Sequence, residues 1–177
     1  MLDGISDGYD SFKTITKNSD RYWNQYLASL PSGHERPHGY IESFSFGFTL
    51  ADALEIAPLV LSGTKTATGS PLWSYEADKK PLPIVGDHWL VTVGDEAPVC
   101  IIETTEVQII PFEEVTADHA WAGGEEDRSL TSWRAIYWEY ITRECRRLGL
   151  EPSTKAPLVM ERFRMVYGRP LRVESDF

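Results

Sequence analysis

Residues 88–112 read HWLVTVGDEAPVCIIETTEVQIIPF. The stretch is crowded with β-branched and aromatic side chains, which suit a pleated, half-buried surface better than a helix. HWLVTVG (88–94) reads as one strand. PVCIIETTEVQIIPF (98–112) is long enough for one bent strand or two short ones. Further on, LVMERFRMVYG (158–168) alternates, with Val159, Phe163, Met165 and Tyr167 on one face and Met160, Arg162 and Arg164 on the other. Strands therefore hold the middle and the end of the chain.

Helices lie around them. SLTSWRAIYWEYITRECRRLG (129–149) carries an apolar stripe of Leu130, Trp133, Ile136, Tyr137, Tyr140, Ile141 and Leu148. Asp127 or Ser129 suits its start, Arg146 and Arg147 its negative end, and Gly149 its stop. Before the strands, FTLADALEIAPLVLSG (48–63) reads as a helix opened by Thr49 and closed by Gly63, with Pro58 forcing a kink or a restart. SDRYWNQYLASLP (19–31) puts Trp23, Tyr26, Leu27 and Leu30 on one helical face, with Asp20 as cap and Pro31 as stop. Residues 1–19 lack periodicity and read as a flexible arm. The expectation is a single α+β domain built on a small barrel-like sheet.

With 177 residues, 42% hydrophobic and 12% aromatic, the chain is sized for one domain with a true core. It has no apolar run of bilayer length, and the acidic, polar start MLDGISDGYDSF is unlike a secretory signal, so a cytoplasmic location and no membrane partner are expected. Cys100 and Cys145 lie in different elements without a CxxC pattern and read as reduced thiols. His34 and His38 have helical ligand spacing, but Pro37 interrupts it, so they read as exposed loop residues and no metal is expected. The net charge of −10 removes the footprint of a general polyanion binder, while leaving a small neutral ligand unopposed.

Chemistry concentrates in LSGTKTATGSPLWSYE (61–76). Its order of residues is not that of a phosphate-binding Walker loop. Lys65 among hydroxyls is either a solvated residue beyond a helix end or, if shielded from water, an amine able to take a proton from Thr68. Trp73 and Tyr75, as alternate residues of an extended segment, would share a face on which a nucleobase could stack, or else belong to the core. In WAGGEEDRSL (121–130) the acids Glu125, Glu126 and Asp127 either cap the following helix or deliver a carboxylate to the lysine. Arg162 and Arg164 would hold a phosphate or, the preferred reading, neutralise acidic neighbours.

Together and in order, YW..YLA, LADAL…LVLSGTKTATGSPLWSYE, PLPIVGDHWLV, PVCIIETTEVQIIPFEEV, GGEEDRSLTSWR and MERFRMVYG resemble the ASCH domain family (activating signal cointegrator homology), whose fold is related to the PUA RNA-binding domain. The resemblance runs from about Tyr22 to Tyr167. It implies a PUA-like β-barrel core with flanking helices over residues 20–170, followed by a tail at 171–177. It also implies hydrolysis of N4-acetylcytidine or a similar acylated nucleoside by a lysine, a threonine and a glutamate, without a cofactor. By position these are Lys65, Thr68 and either Glu125 or Glu126. Beside them, the reading of the residues offers Trp73, Tyr75, Arg162 and Arg164 as substrate-binding candidates and the backbone amides of the tight turn for the oxyanion. Other members imply RNA binding or cleavage, for which Lys65 and Ser129 match; non-catalytic recognition of a modified nucleoside is a further alternative. The chain departs from the family pattern at Gly123, Glu126, Met160 and within FGFTL.

Overall fold

A computed structural model describes residues 17–94 and 97–168. Of the expected arm at 1–19, residues 1–16 lie outside the described residues, while 17–19 are not arm but the first residues of a helix; the expected tail at 171–177 lies outside the described residues too. The chain runs α1 (Lys17–Ser29), β1 (Ser43–Phe44), α2 (Leu50–Leu61), β2 (Ala67–Pro71), α3 (Leu72–Ala77), β3 (His88–Val93), β4 (Ala97–Pro111), a 3-10 turn (Phe112–Glu114), α4 (Ala117–Gly123), α5 (Leu130–Leu148) and β5 (Pro157–Gly168). The five strands form one mixed sheet in the order β1-β3-β4-β5-β2, parallel only between β1 and β3.

The long apolar segment at 97–111 is one strand, not two, and it bends because the ladder shifts twice against β5. Thr105 is the extra residue of one irregularity and Val166 of the other, since Ile102 pairs with Met165 and Ile101 with Tyr167. The second shift corrects the expected alternation. Met165 packs with Phe46, Val91 and Phe163, whereas Tyr167 turns to the opposite side beside Trp23 and Tyr26 of α1. The sheet does not close into a barrel by hydrogen bonds. Its curl nevertheless brings both edges to one cleft, which Phe44 at β1 and Thr68 to Ser70 on β2 both line.

Apolar burial fixes the layers. Trp133, Tyr137, Ile141 and Cys145 of α5 pack on Leu158 and Met160; each fully buried aliphatic chain contributes roughly 1.5–3 kcal/mol. Trp133 stacks on Tyr137 with ring centroids 4.0 Å apart, which locks the side of α5 that faces β2. Ser129 caps α5 by accepting from the Ser132 amide, and Asp127 accepts from the Ser129 amide. Thr49 and Asp52 cap α2 reciprocally. Pro58 sits inside α2 without a restart. Because α1 already begins at Lys17, Asp20 is inside its first turn instead of capping it, and it accepts from the Tyr40 hydroxyl. Both cysteines are free and buried. No helix among the described residues is long and apolar enough to cross a membrane.

Candidate active site

The chain leaves α2 through Gly63 at φ 74° and turns immediately into β2. Two backbone bonds pin that turn: the Lys65 amide donates to Leu59 O and the Thr66 amide to Ala122 O. These two amides are therefore spent on structure and are not free to meet an oxyanion. Their cost is repaid in placement. Lys65 is driven inward and is only 2% exposed.

A buried ammonium needs partners, because desolvating it alone is costly. Lys65 Nζ donates to Glu125 Oε1 at 2.6 Å and to Gly123 O at 3.1 Å, and lies 5.3 Å from the Phe46 ring centroid. The α4 terminus delivers both acceptors. Gly124 adopts φ 77°, and a Cβ there would meet Thr64 O at 2.7 Å and Lys65 N and Cα at 2.8 Å. Only glycine allows this backbone approach, and it turns Glu125 toward the amine. Glu126 follows at φ 49°, exposed and pointing elsewhere. Between the two glutamates the geometry brings Glu125 to Lys65.

Thr68 faces the same cleft three residues later. The phenol of Tyr137 lines the cleft beside it; burial, with the Glu125 charge nearby, pushes this phenol well above its ordinary pKa, so it remains an O–H. Near Thr68, His119 is buried, and its Nε2 has no hydrogen-bond partner among the described residues. Burial, reinforced by the Arg162 charge, pulls His119 down to about 4.

The cleft encloses about 650 Å³, a size suited to a nucleoside-scale ligand. Tyr75 lines it but Trp73 does not. Residues 72–77 form a helix in place of the expected extended segment, so the two rings diverge, and Trp73 packs against the α5 core. Arg162 and Arg164 are also absent from the cleft. They stand on the outer face of β5, where Arg162 pairs with Asp118 and Glu106 and Arg164 donates to Glu103 at 2.7 Å. Ser129 is occupied as the α5 cap, away from the cleft. His34 and His38 are exposed, and no group of metal-ligating side chains occurs among the described residues.

Two cleft features escaped the sequence reading. Tyr137 and Tyr140 counted only as members of an apolar stripe, yet both line the cleft with Thr68 and Ser70. Glu161 is 9% exposed and faces the cleft; burial, with the Asp87 charge adding, pushes its carboxyl up to about 7 against hydrogen bonds from Thr104 and Tyr75. The signal was present, because strict alternation sets Glu161 on the same face as Val159 and Phe163.

No curated protein matches the chain. Solved structures do. A crystal structure of an ASCH domain from Lactobacillus crispatus JV V101 shares 33% identity and superposes with TM-score 0.80, covering 89% of this chain and 99% of the other. Protein EF3133 from Enterococcus faecalis V583 shares 27% identity at TM-score 0.75, covering 85% of this chain and 89% of the other. The family model for the ASCH domain matches residues 42–167, a span that contains every cleft residue named above, and so the chain belongs to the ASCH domain family.

Proposed function

We propose that this cleft hydrolyses the exocyclic amide of an N-acylated pyrimidine nucleoside, with N4-acetylcytidine as the substrate to test. The observation that carries the reading is a lysine withdrawn from water, bonded to the Glu125 carboxylate, opening on the same cleft as Thr68. Thr68 Oγ1 attacks the acyl carbon. Its proton passes to Lys65 Nζ as Nζ hands one to Glu125, so the amine ends the step still charged. The oxyanion is met by that ammonium and by the Tyr137 O–H. The C–N bond then breaks, and the departing amine takes the proton held by Glu125 through Lys65. Water hydrolyses the resulting threonine ester, returning one proton to Oγ1 and releasing the carboxylic acid.

A free nucleoside suits the cleft better than an RNA strand. The chain carries a net charge of −10, and the two β5 arginines are already matched with acids on the far face; neither offers the counterion release that drives polyanion binding. Non-catalytic recognition is separated by turnover. Liquid chromatography after incubation with N4-acetylcytidine is expected to show cytidine from the wild type and a loss of about 10²-fold or more in kcat/KM for both Lys65→Ala and Thr68→Ala. Absence of cytidine, or wild-type rates in both variants, overturns the reading.

A further inference from the structure

The hydrolysis above leaves one buried carboxyl of the cleft without a task. Glu161 is the direct cross-strand partner of Thr68 in the β2–β5 ladder. Opposed residues project from the same face with Cβ atoms about 5 Å apart, and both side chains line the cleft. A hydrogen-bond chain runs into the carboxyl, and its direction is set. Trp89 Nε1 can only donate, and it reaches Thr104 Oγ1 at 2.9 Å. The single proton of Thr104 is thereby directed to Glu161 Oε2, 3.2 Å away. On the other side, the Tyr75 phenol lies close to the carboxyl and lines the same cleft. Thr104 donates to it, so the ionised carboxylate, the form present above about pH 7, offers the cleft an acceptor. A buried acceptor left without a donor is costly, which makes it selective for a ligand that brings one.

We propose that Glu161 is the specificity-determining contact of this cleft, accepting an N–H from the nitrogen bonded to the carbon that Thr68 attacks. The inference rests on the amide-hydrolase reading for its ligand class, which it narrows to planar aminopyrimidines whose exocyclic nitrogen keeps at least one hydrogen. A fully substituted nitrogen leaves the carboxyl unpaired and is rejected.

Calorimetric titration of cytidine and N4,N4-dimethylcytidine against the wild type, Glu161→Gln and Glu161→Asp tests this. The wild type is expected to prefer cytidine by about tenfold or more. In Glu161→Gln the amide oxygen is claimed by Thr104, and the NH2 turned to the cleft opposes the ligand amine, so the preference collapses to about twofold or less. A merely structural role for Glu161 would lower stability without moving this ratio. Glu161→Asp keeps the charge but withdraws it by one methylene; it is expected to weaken the preference too, and serves if the glutamine variant does not fold. Equal wild-type affinity for the two nucleosides, no measurable cytidine binding, or a preference retained in the variants overturns the inference. A Glu161-dependent preference without release of cytidine from N4-acetylcytidine upholds the contact and removes hydrolysis; turnover with the preference intact in Glu161→Gln does the reverse.

Discussion

Glu161 and Arg162 are neighbours on β5, yet their surroundings are opposites. Arg162 and Arg164 point to the outer face, where each meets a carboxylate across partly exposed surface. Lys65, Glu125 and Glu161 point to the inner face, where burial removes the option of water and every polar contact must be built. Surface pairs of the first kind exchange water for one another at little net gain. Groups of the second kind are held at high cost, which makes them the candidates for chemistry. The contrast predicts that charge changes on the two faces of one strand differ severalfold in consequence.

The largest stability effect is expected from Glu125→Ala, which strands a buried ammonium; thermal or denaturant unfolding should show a loss of about 3 kcal/mol, the low end for a broken buried pair because Glu125 itself is 25% exposed. A loss under 1 kcal/mol would erase the distinction between the faces. Next comes a pH effect. The Glu161 pKa is raised in the folded state, so its contribution is complete below the unfolded value near 4.5 and declines as pH rises through about 7. That fall amounts to roughly 3 kcal/mol at most. His119 acts in the opposite sense: its folded pKa is depressed to about 4, so its contribution is complete above 6.5 and is lost as pH falls through 4. The two partly cancel in the wild type between pH 4.5 and 6.5. Unfolding of Glu161→Gln should therefore reveal stability rising with pH in that window, and His119→Asn stability falling. Parallel curves for all three proteins would show that these groups are not buried as described.

Gly124→Ala follows, with a cost on the order of 2 kcal/mol from the left-handed backbone and the encroachment on Lys65. Its signature is a loss of turnover greater than its loss of stability, because the substitution pushes apart the loops that join Glu125 to Lys65. The smallest effect belongs to Arg164→Ala, whose side chain is 67% exposed. About 0.5 kcal/mol, diminishing with added salt, is expected by chemical denaturation; a loss as large as that of Glu125→Ala would invert the comparison.

The strands at 88–93, 97–111 and 157–168 were legible because apolar and β-branched residues repeat where burial demands them. The helix over 130–148 was legible through its stripe and its Ser129 cap. Less local facts were hidden. Six residues at 72–77 make a helix too short for periodicity to reveal, and that helix parts Trp73 from Tyr75. The choice between Glu125 and Glu126 is made by the backbone contact of Gly124 with Lys65, which joins segments some sixty positions apart. The unpaired Val166 reverses the last residues of β5, a shift that residue types alone do not announce. Lys65 and Thr68 stood out as a lysine among hydroxyls, and the family resemblance supplied their suggested roles; the burial that makes the lysine chemically interesting comes from α4 folding over it.

The account stands most directly on Thr68 carrying the acyl group. Peptide mass spectrometry of wild-type protein, acid-quenched during turnover of N4-acetylcytidine, should find one acetyl group on the peptide containing Thr68 and none in Thr68→Val. Continued release of cytidine by Thr68→Val, or an acetyl group carried elsewhere while Thr68 stays unmodified, would contradict it.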